Sequence, residues 1–484
     1  MPQIRKRLLL VVHTNSYFTG LLPLAKSLLS SGIFEPLILF ARAYPTLPVD
    51  LDSCRMNGIP MIFGRITGRE MENKRREALA KSAPGRIRNR RLEKYIRMIK
   101  SPPTLMNFIL TRLFSGSLAW ELLSLLKVIS EVRAIIRREQ VSLLVLPADN
   151  RYDQAAYIRA AHMESVGAVV VPQFMASQLE WAEYVWDQSN FQAGRMINWI
   201  AGKLYPHWVY LYKGRWLVAL PGAQIFARQW LNLSPPLPWI LHSGHADALA
   251  LESEAMRKYC RAEGLPLEQM HVTGSVSLDA MFESLADIQN RKDALCRSLR
   301  LSKDRPIILS ALPPDTLYMG RPECDFQEYT KLVEFWCRSI SSVNGYHHIV
   351  ALHPSVRYEE MRHIEAYGLK VAHIPTMDLV PLCDIFVASI SSTIQWAIAC
   401  GKPVLNYDVF RYRYTDYRDV AGVITVEEQT EFLDLLAKLT SDAGFLASVI
   451  ARQAIFAEEW GCLDGMAGER LQNLFQSVID RYDV

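Results

Sequence analysis

The chain has 484 residues, roughly three times a typical domain length, which points to two domains. Half of the residues are hydrophobic and 21% are charged, which excludes a mostly disordered chain. A formal net charge of +4 is too balanced for a dedicated nucleic-acid binder, so nucleic acid is not an expected partner.

That balance hides a basic segment, because thirteen Lys/Arg stand against four Asp/Glu between Arg65 and Lys100. Eight cysteines are spread singly from Cys54 to Cys462 with no CxxC pair. They suggest reduced thiols in a cytosolic protein rather than a zinc knuckle or a disulfide framework. MPQIRKRLLLVV resembles the start of a signal peptide, but His13, Asn15 and Ser16 break the apolar run, so a first buried strand is expected instead. No segment offers the ~20 nearly charge-free apolar residues of a membrane span.

In chain order, Leu8–Val12, Val141–Leu146, Ala168–Val171, Ala248–Leu251 and His271–Thr273 read as strands, followed by Ile307–Ser310, Ile349–Leu352, Ile385–Ala388 and Val404–Asn406. Most are continuous apolar runs, the pattern of parallel strands covered on both faces. Between them Leu21, Leu24, Ala25, Leu28 and Leu29 make a helical stripe, and Leu471, Leu474, Phe475, Val478 and Ile479 make another. This alternation predicts an α/β protein with two doubly wound parallel sheets. The charged stretch Glu283–Asp304 is the expected boundary. It separates residues 1–283, with a helical insertion at 65–137, from residues 284–455, and the helices of 456–484 are free to pack back on the first domain.

Ligands of open α/β sheets bind at the carboxyl ends of strands, and four such places carry chemistry. After the first strand, HTNSYFTG sets His13 and Gly20 in a loop where backbone can approach a ligand, although a plain turn reads equally well. LVLPADNRYD delivers Asp149 to a strand end, with Arg151 and Asp153 beside it, either as a general base or as a helix cap. HPSVR places His353, Pro354 and Arg357 where an anion would be met. Finally Ser391, Ser392 and Thr393 supply three hydroxyls where a cap needs one, which favours a phosphate cradle.

Read together, these segments resemble the two-domain nucleotide-sugar enzymes of the GT-B architecture. The likeness is to the branch of UDP-N-acetylglucosamine 2-epimerases and to bacterial surface-polysaccharide glycosyltransferases. HVTGSVSLDAM resembles the epimerases' TGNPxxD motif, with Gly274 and Asp279 matching and Ser275 in place of Asn. LPADN resembles the strand end bearing their aspartate, here Asp149. HPSVR and the serine cluster resemble the HP and S motifs of sialyltransferases and Kdo transferases, and the His/Ser pattern of glycerophosphotransferases.

The epimerases' His-Arg pair is missing from ILSALPPD, Gln173 stands near their HVEAG glutamate, and Gln395 and Trp396 stand where their donor-binding acidic residues would be. The DDG-type motif of the sialyltransferases is missing as well. The resemblance therefore implies a glycosyltransferase using a CMP- or UDP-sugar and needing no metal or other cofactor. Its donor would lie against His353, Pro354, Arg357, Ser391, Ser392, Thr393 and Gln395, with Gly274 nearby. A bacterial glycan or lipid-linked acceptor would meet His13, Asp149 and Glu180, with Asp149 as the catalytic base, Glu180 as the alternative base and His353 stabilising the leaving phosphate, while Gly20 and His13 would also lie within reach of the donor. An epimerase or hydrolase of the same fold, and a non-catalytic glycan-assembly protein, are the competing readings. The location implied is cytoplasmic. For the 65–137 insertion two readings stand side by side, contact with an anionic membrane on its inner face and a solvated helical hairpin.

Overall fold

The structure is a computed structural model that describes residues 5–64, 118–173, 177–317, 323–353, 356 and 358–483. The basic stretch from Arg65 to Lys100, together with Pro354 and Arg357, lies outside these residues. The chain divides into two units. The first is Met1–Ala250 with Cys260–His271 and Gln472–Val484, and the second is Leu251–Tyr259 with Val272–Leu471.

The first unit is built on β1 (Lys6–Val12), β2 (Phe34–Phe40), β3 (Met61–Phe63), β4 (Val141–Leu146) and β5 (Gly167–Val170). A hairpin, β6 (Val209–Tyr212) and β7 (Arg215–Val218), precedes β8 (Ala248–Leu251) and β9 (Met270–Val272). Seven strands form one sheet in the order β3-β2-β1-β4-β5-β8-β9. The pairs from β3 across to β8 are parallel. Leu8 to Val12 are fully buried, as a central strand with helices on both faces requires. The described part of the expected insertion is the helix Leu118–Glu139, which buries Leu125, Ile129, Val132, Ile135 and Ile136 and leads directly into β4. It is a regular crossover helix of the sheet. At the other end of the chain, Phe475 meets Phe34 edge-on at 6.5 Å and the Tyr482 hydroxyl donates to Asp247 at 2.9 Å.

The second unit carries β10 (Ile307–Ala311), β11 (His347–Ala351), β12 (Lys370–Val371), β13 (Ile385–Ala388), β14 (Val404–Tyr407) and β15 (Val423–Val426). Their order is β12-β11-β10-β13-β14-β15, all parallel. Its core includes a stack of Trp336, Tyr407 and Phe432, with Tyr407 and Phe432 centroids 4.9 Å apart. Each sheet reverses direction once, between β1 and β4 in the first unit and between β10 and β13 in the second. These reversal points are where α/β sheets hold ligands. All eight cysteines are free thiols, six of them buried. No helix among the described residues is long and apolar enough to cross a membrane.

Candidate functional site

In the second unit the reversal point is flanked by the loop after β13. Ser389 is buried and its hydroxyl has no partner among the described residues. Ile390 follows with a φ of 42°, a left-handed conformation that a β-branched side chain resists. The side chain of Asn406, on β14, holds it there by accepting the Ile390 N–H at 2.9 Å and donating to Thr425 Oγ1 at 3.1 Å. After this kink Ser391 and Thr393 are half-buried and Ser392 is exposed. The Ser391 and Thr393 hydroxyls lie 2.8 Å apart, and the Thr393 N–H donates to Ser391 Oγ at 3.3 Å. No hydrogen bond engages the N–H of Ser391 or Ser392 among the described residues. The following helix, Ile394–Ala399, has six residues, so the hydroxyls and free N–H groups matter here more than a helix dipole.

His353 is exposed just past β11, and the Val356 N–H donates to its carbonyl at 2.9 Å. Surrounding protein lowers its imidazole pKa by desolvation. One strand, β10, separates β11 from β13, so the two strand ends stand about 10 Å apart. Gln395 is buried, and its amide donates to Glu252 Oε2 at 3.4 Å. Glu252 immediately follows β8, and burial raises its carboxyl to about 7. The apolar run Ala248–Leu251 signals a strand, but nothing in its sequence marks the Glu252 that follows it as a buried carboxyl. Ile390 and Asn406 are equally silent in sequence, because neither residue type announces a positive φ or a clamp.

Gly274 and Asp279 both lie against the start of the Ala467–Asp480 helix. Gly274 adopts a φ of +78°, and a Cβ there would sit 2.9 Å from that of Ala467. Asp279 accepts the Ala467 and Gly468 N–H groups at 3.0 and 2.8 Å, so it caps the Ala467–Asp480 helix. The motif is a staple for that helix.

In the first unit the reversal point brings His13 and the β4 loop together. His13 is buried, lies parallel to Tyr152 at 5.2 Å and meets Tyr157 edge-on at 5.6 Å. Neither ring nitrogen has a hydrogen-bond partner among the described residues. Burial pushes its pKa down to about 3, so the ring is neutral at physiological pH. The Gln173 side chain lies directly over Gly20, so that a Cβ there would fall 1.1 Å from Gln173 Oε1 and displace that amide. Asp149 is buried with both oxygens engaged. Oδ1 accepts from Ser243 N at 2.6 Å and Ser243 Oγ at 3.0 Å, while Oδ2 accepts from His245 N at 2.8 Å and Ala246 N at 3.4 Å. A carboxylate with four donors ties down the 243–246 loop and has little lone-pair capacity left for a substrate proton. The Glu180 N–H donates to the Ser177 cap at 3.3 Å, and the Arg151 guanidinium lies 3.8 Å above the neighbouring Trp181 ring.

Two parallel-sheet units of this order define an α/β protein of the GT-B fold. Solved structures similar to the chain carry the same architecture. The glycotransferase of kitacinnamycin aligns with a TM-score of 0.54 at 10% identity, over 98% of this chain and 99% of that one. The UDP-GlcNAc 2-epimerase of Neisseria meningitidis, bound to UDP-GlcNAc, aligns at 0.52 and 11% identity, over 97% and 100%. The S. aureus MnaA–UDP complex aligns at 0.51 and 13% identity, over 98% and 97%. At these identities the likeness is one of fold. No protein-family model matches the chain. No curated protein sequence matches it either.

Proposed function

We propose that the chain is a glycosyltransferase that moves a sugar from a nucleotide-activated donor, a CMP- or UDP-sugar, to a bacterial surface-glycan acceptor. The observation that carries this reading is the β13 loop. Three hydroxyls and two N–H groups without a partner among the described residues sit on a strained, clamped backbone at the reversal point of the second sheet. Such a loop supplies donors to phosphate oxygens without reorganising, which is the requirement for stabilising a departing nucleotide. His353, two strands away, suits a second contact to the same diphosphate or monophosphate. The neighbours that share the fold include proteins solved with UDP or UDP-GlcNAc, which agrees with a nucleotide ligand.

Transfer also needs a group to take the acceptor's hydroxyl proton. Glu252 fits that task better than Asp149, because its carboxyl titrates about 7 and spends one hydrogen bond on Gln395. The first unit is left for the acceptor, with the His13 nitrogens, which have no partner among the described residues, as polar contacts.

A second reading, an epimerase or hydrolase acting on donor alone, draws on the epimerase among the fold neighbours. Against it stands Gln173 past β5, where a carboxylate would be wanted, and the uncharged ALPP after β10. The test is a thermal-shift panel of CMP-, CDP-, UDP- and GDP-sugars, followed by product analysis with and without a glycan acceptor. Transfer that depends on acceptor supports the proposal. Rapid turnover of donor alone supports the second reading, and binding of none of the panel contradicts both.

A further inference from the structure

The helix Met196–Leu204 is turned inside out. Its buried face consists of Asn198 and Ala201, with Gly202 so close to β6 that a Cβ there would lie 2.7 Å from Val209 Cγ2. Asn198 is fully engaged, donating to the carbonyls of Asn190 and Gln192 at 2.8 and 2.9 Å and accepting the Gly222 N–H at 2.7 Å. The large apolar side chains point the other way. Met196 is 79% exposed, Trp199 56% and Leu204 61%, with Ile197 and Ile200 also exposed. Met196, Trp199, Ile200 and Leu204 follow the spacing of one helical face.

The hairpin beside the helix also exposes apolar side chains. Leu211 and Trp216 are directly opposed across β6 and β7, and both are exposed. They lie on the same side of the hairpin as Val209, the residue that touches Gly202, because side chains two apart share a face. The Ala193 N–H bonds to the Trp216 carbonyl at 2.9 Å, which binds the hairpin to the start of the helix. Trp230, at the end of the adjoining Gly222–Trp230 helix, is exposed as well. A soluble surface seldom gathers so much apolar area without a partner.

Charge and residue type identify the partner. From Asp187 to Asp247 the sequence has no acidic residue between, and it carries Arg195, Lys203, Lys213, Arg215 and Arg228. Lys213 and Arg215 pair with Glu183 and Asp187 at 3.0 and 3.4 Å, and Arg228 is buried. Arg195 and Lys203, at the two ends of the helix, have no acidic partner among the described residues. Tryptophan beside apolar side chains, rimmed by cations, is the composition of a segment lying in a lipid headgroup layer. The helix has nine residues and spans about 13 Å, which suits lying on a bilayer and is too short for crossing one. We propose that the Met196–Leu204 helix and the β6–β7 hairpin form a docking surface for an anionic phospholipid bilayer.

The test is co-sedimentation of the full chain with vesicles of phosphatidylcholine containing phosphatidylglycerol. The wild type should pellet with these vesicles, much less with phosphatidylcholine alone, and less as salt rises. The double variant Trp199→Ala/Leu204→Ala should bind about tenfold more weakly or worse, with an unchanged circular dichroism spectrum. Trp216→Ala on the hairpin gives an independent reading should the helix variant misfold. Ile455→Ser, which removes an exposed apolar residue of the second unit, should bind as the wild type does. The proposal is overturned if the wild type stays in the supernatant, or if both patch variants pellet normally. It is equally overturned if Ile455→Ser loses binding to the same degree. A concentration-dependent dimer that the patch variants dissolve, with vesicle binding unchanged, would assign the surface to a second copy of the chain instead.

Discussion

The side-chain carbonyl of Asn406 accepts the backbone N–H of Ile390 at 2.9 Å and so holds a β-branched residue at a φ of 42°. A conformation of this kind costs on the order of 1–3 kcal/mol and persists only where its surroundings impose it. Asn406 is buried on β14, with its amide nitrogen spent on Thr425, so the clamp is rigid. It fixes the backbone immediately before Ser391 and Ser392. Asn406→Ala should therefore destabilise the protein by about 2 kcal/mol, through two lost buried hydrogen bonds, and weaken nucleotide binding as the loop relaxes. Ile390→Gly should relieve the strain and lower nucleotide affinity by loosening the same loop. Urea midpoints and nucleotide titrations on the two variants check both outcomes.

His353→Ala should leave the fold intact, since the side chain is exposed, and should lower transfer about a hundredfold. Asp149→Asn should do the reverse. Replacing an acceptor of four hydrogen bonds by a group that is half donor should cost about 3 kcal/mol of stability. Melting temperatures measured beside single-turnover rates separate the two effects. A folded, stable but inactive Asp149→Asn would return the base role to that residue.

The Glu252 carboxyl, raised to about 7, predicts two opposite pH trends. As a base it must be ionised, so kcat/KM should rise through about pH 7, and Glu252→Gln should abolish that limb along with most of the activity. For stability the folded state holds the proton more tightly than the unfolded chain. The folded chain therefore loses stability as pH rises from the ordinary carboxylate range towards 7, and the loss levels off above it. Glu252→Gln should accordingly gain stability relative to wild type at pH 8 and not at pH 4.

His13 gives the opposite sign. Its pKa is lowered to about 3, so below the ordinary histidine value the unfolded chain binds a proton that the folded chain refuses. Stability should be full above about pH 6.5 and fall as the pH drops towards 3. His13→Phe, which keeps an aromatic ring against Tyr152, should flatten the acid side of the stability curve. Equal acid sensitivity in variant and wild type would remove His13 as its source.

Asp279→Ala should uncap the Ala467–Asp480 helix at a cost of about 1 kcal/mol. Faster amide exchange confined to the first turn of that helix, with nucleotide binding unchanged, is the expected signature.

The parallel strands were legible because residues such as Leu8–Val12 and Ile385–Ala388 are apolar without interruption, as burial on both faces demands. β2 was not, because Glu35 and Pro36 break its run. Glu35 is tolerated there because Arg7, its register partner on β1, meets it at 2.9 Å. The β6–β7 hairpin did carry a signal, Lys213-Gly214 between alternating aromatic residues, and both turn residues take positive φ as a two-residue hairpin turn requires. At the site, strand ends and hydroxyl clusters could be read from residue type. Their tasks could not, since whether a carboxylate faces four N–H groups, as Asp149 does, or a single amide, as Glu252 does, depends on loops far away in sequence.

Isothermal titration of CMP, CDP and UDP into the wild type and into Ser391→Ala/Ser392→Ala decides whether the loop after β13 holds a nucleotide phosphate. At least one of these nucleotides should bind the wild type, and the double variant should bind it about tenfold or more weakly while melting at nearly the same temperature. Undiminished affinity in a double variant whose melting temperature has fallen sharply would show that these hydroxyls only hold the loop, and would contradict a phosphate cradle after β13.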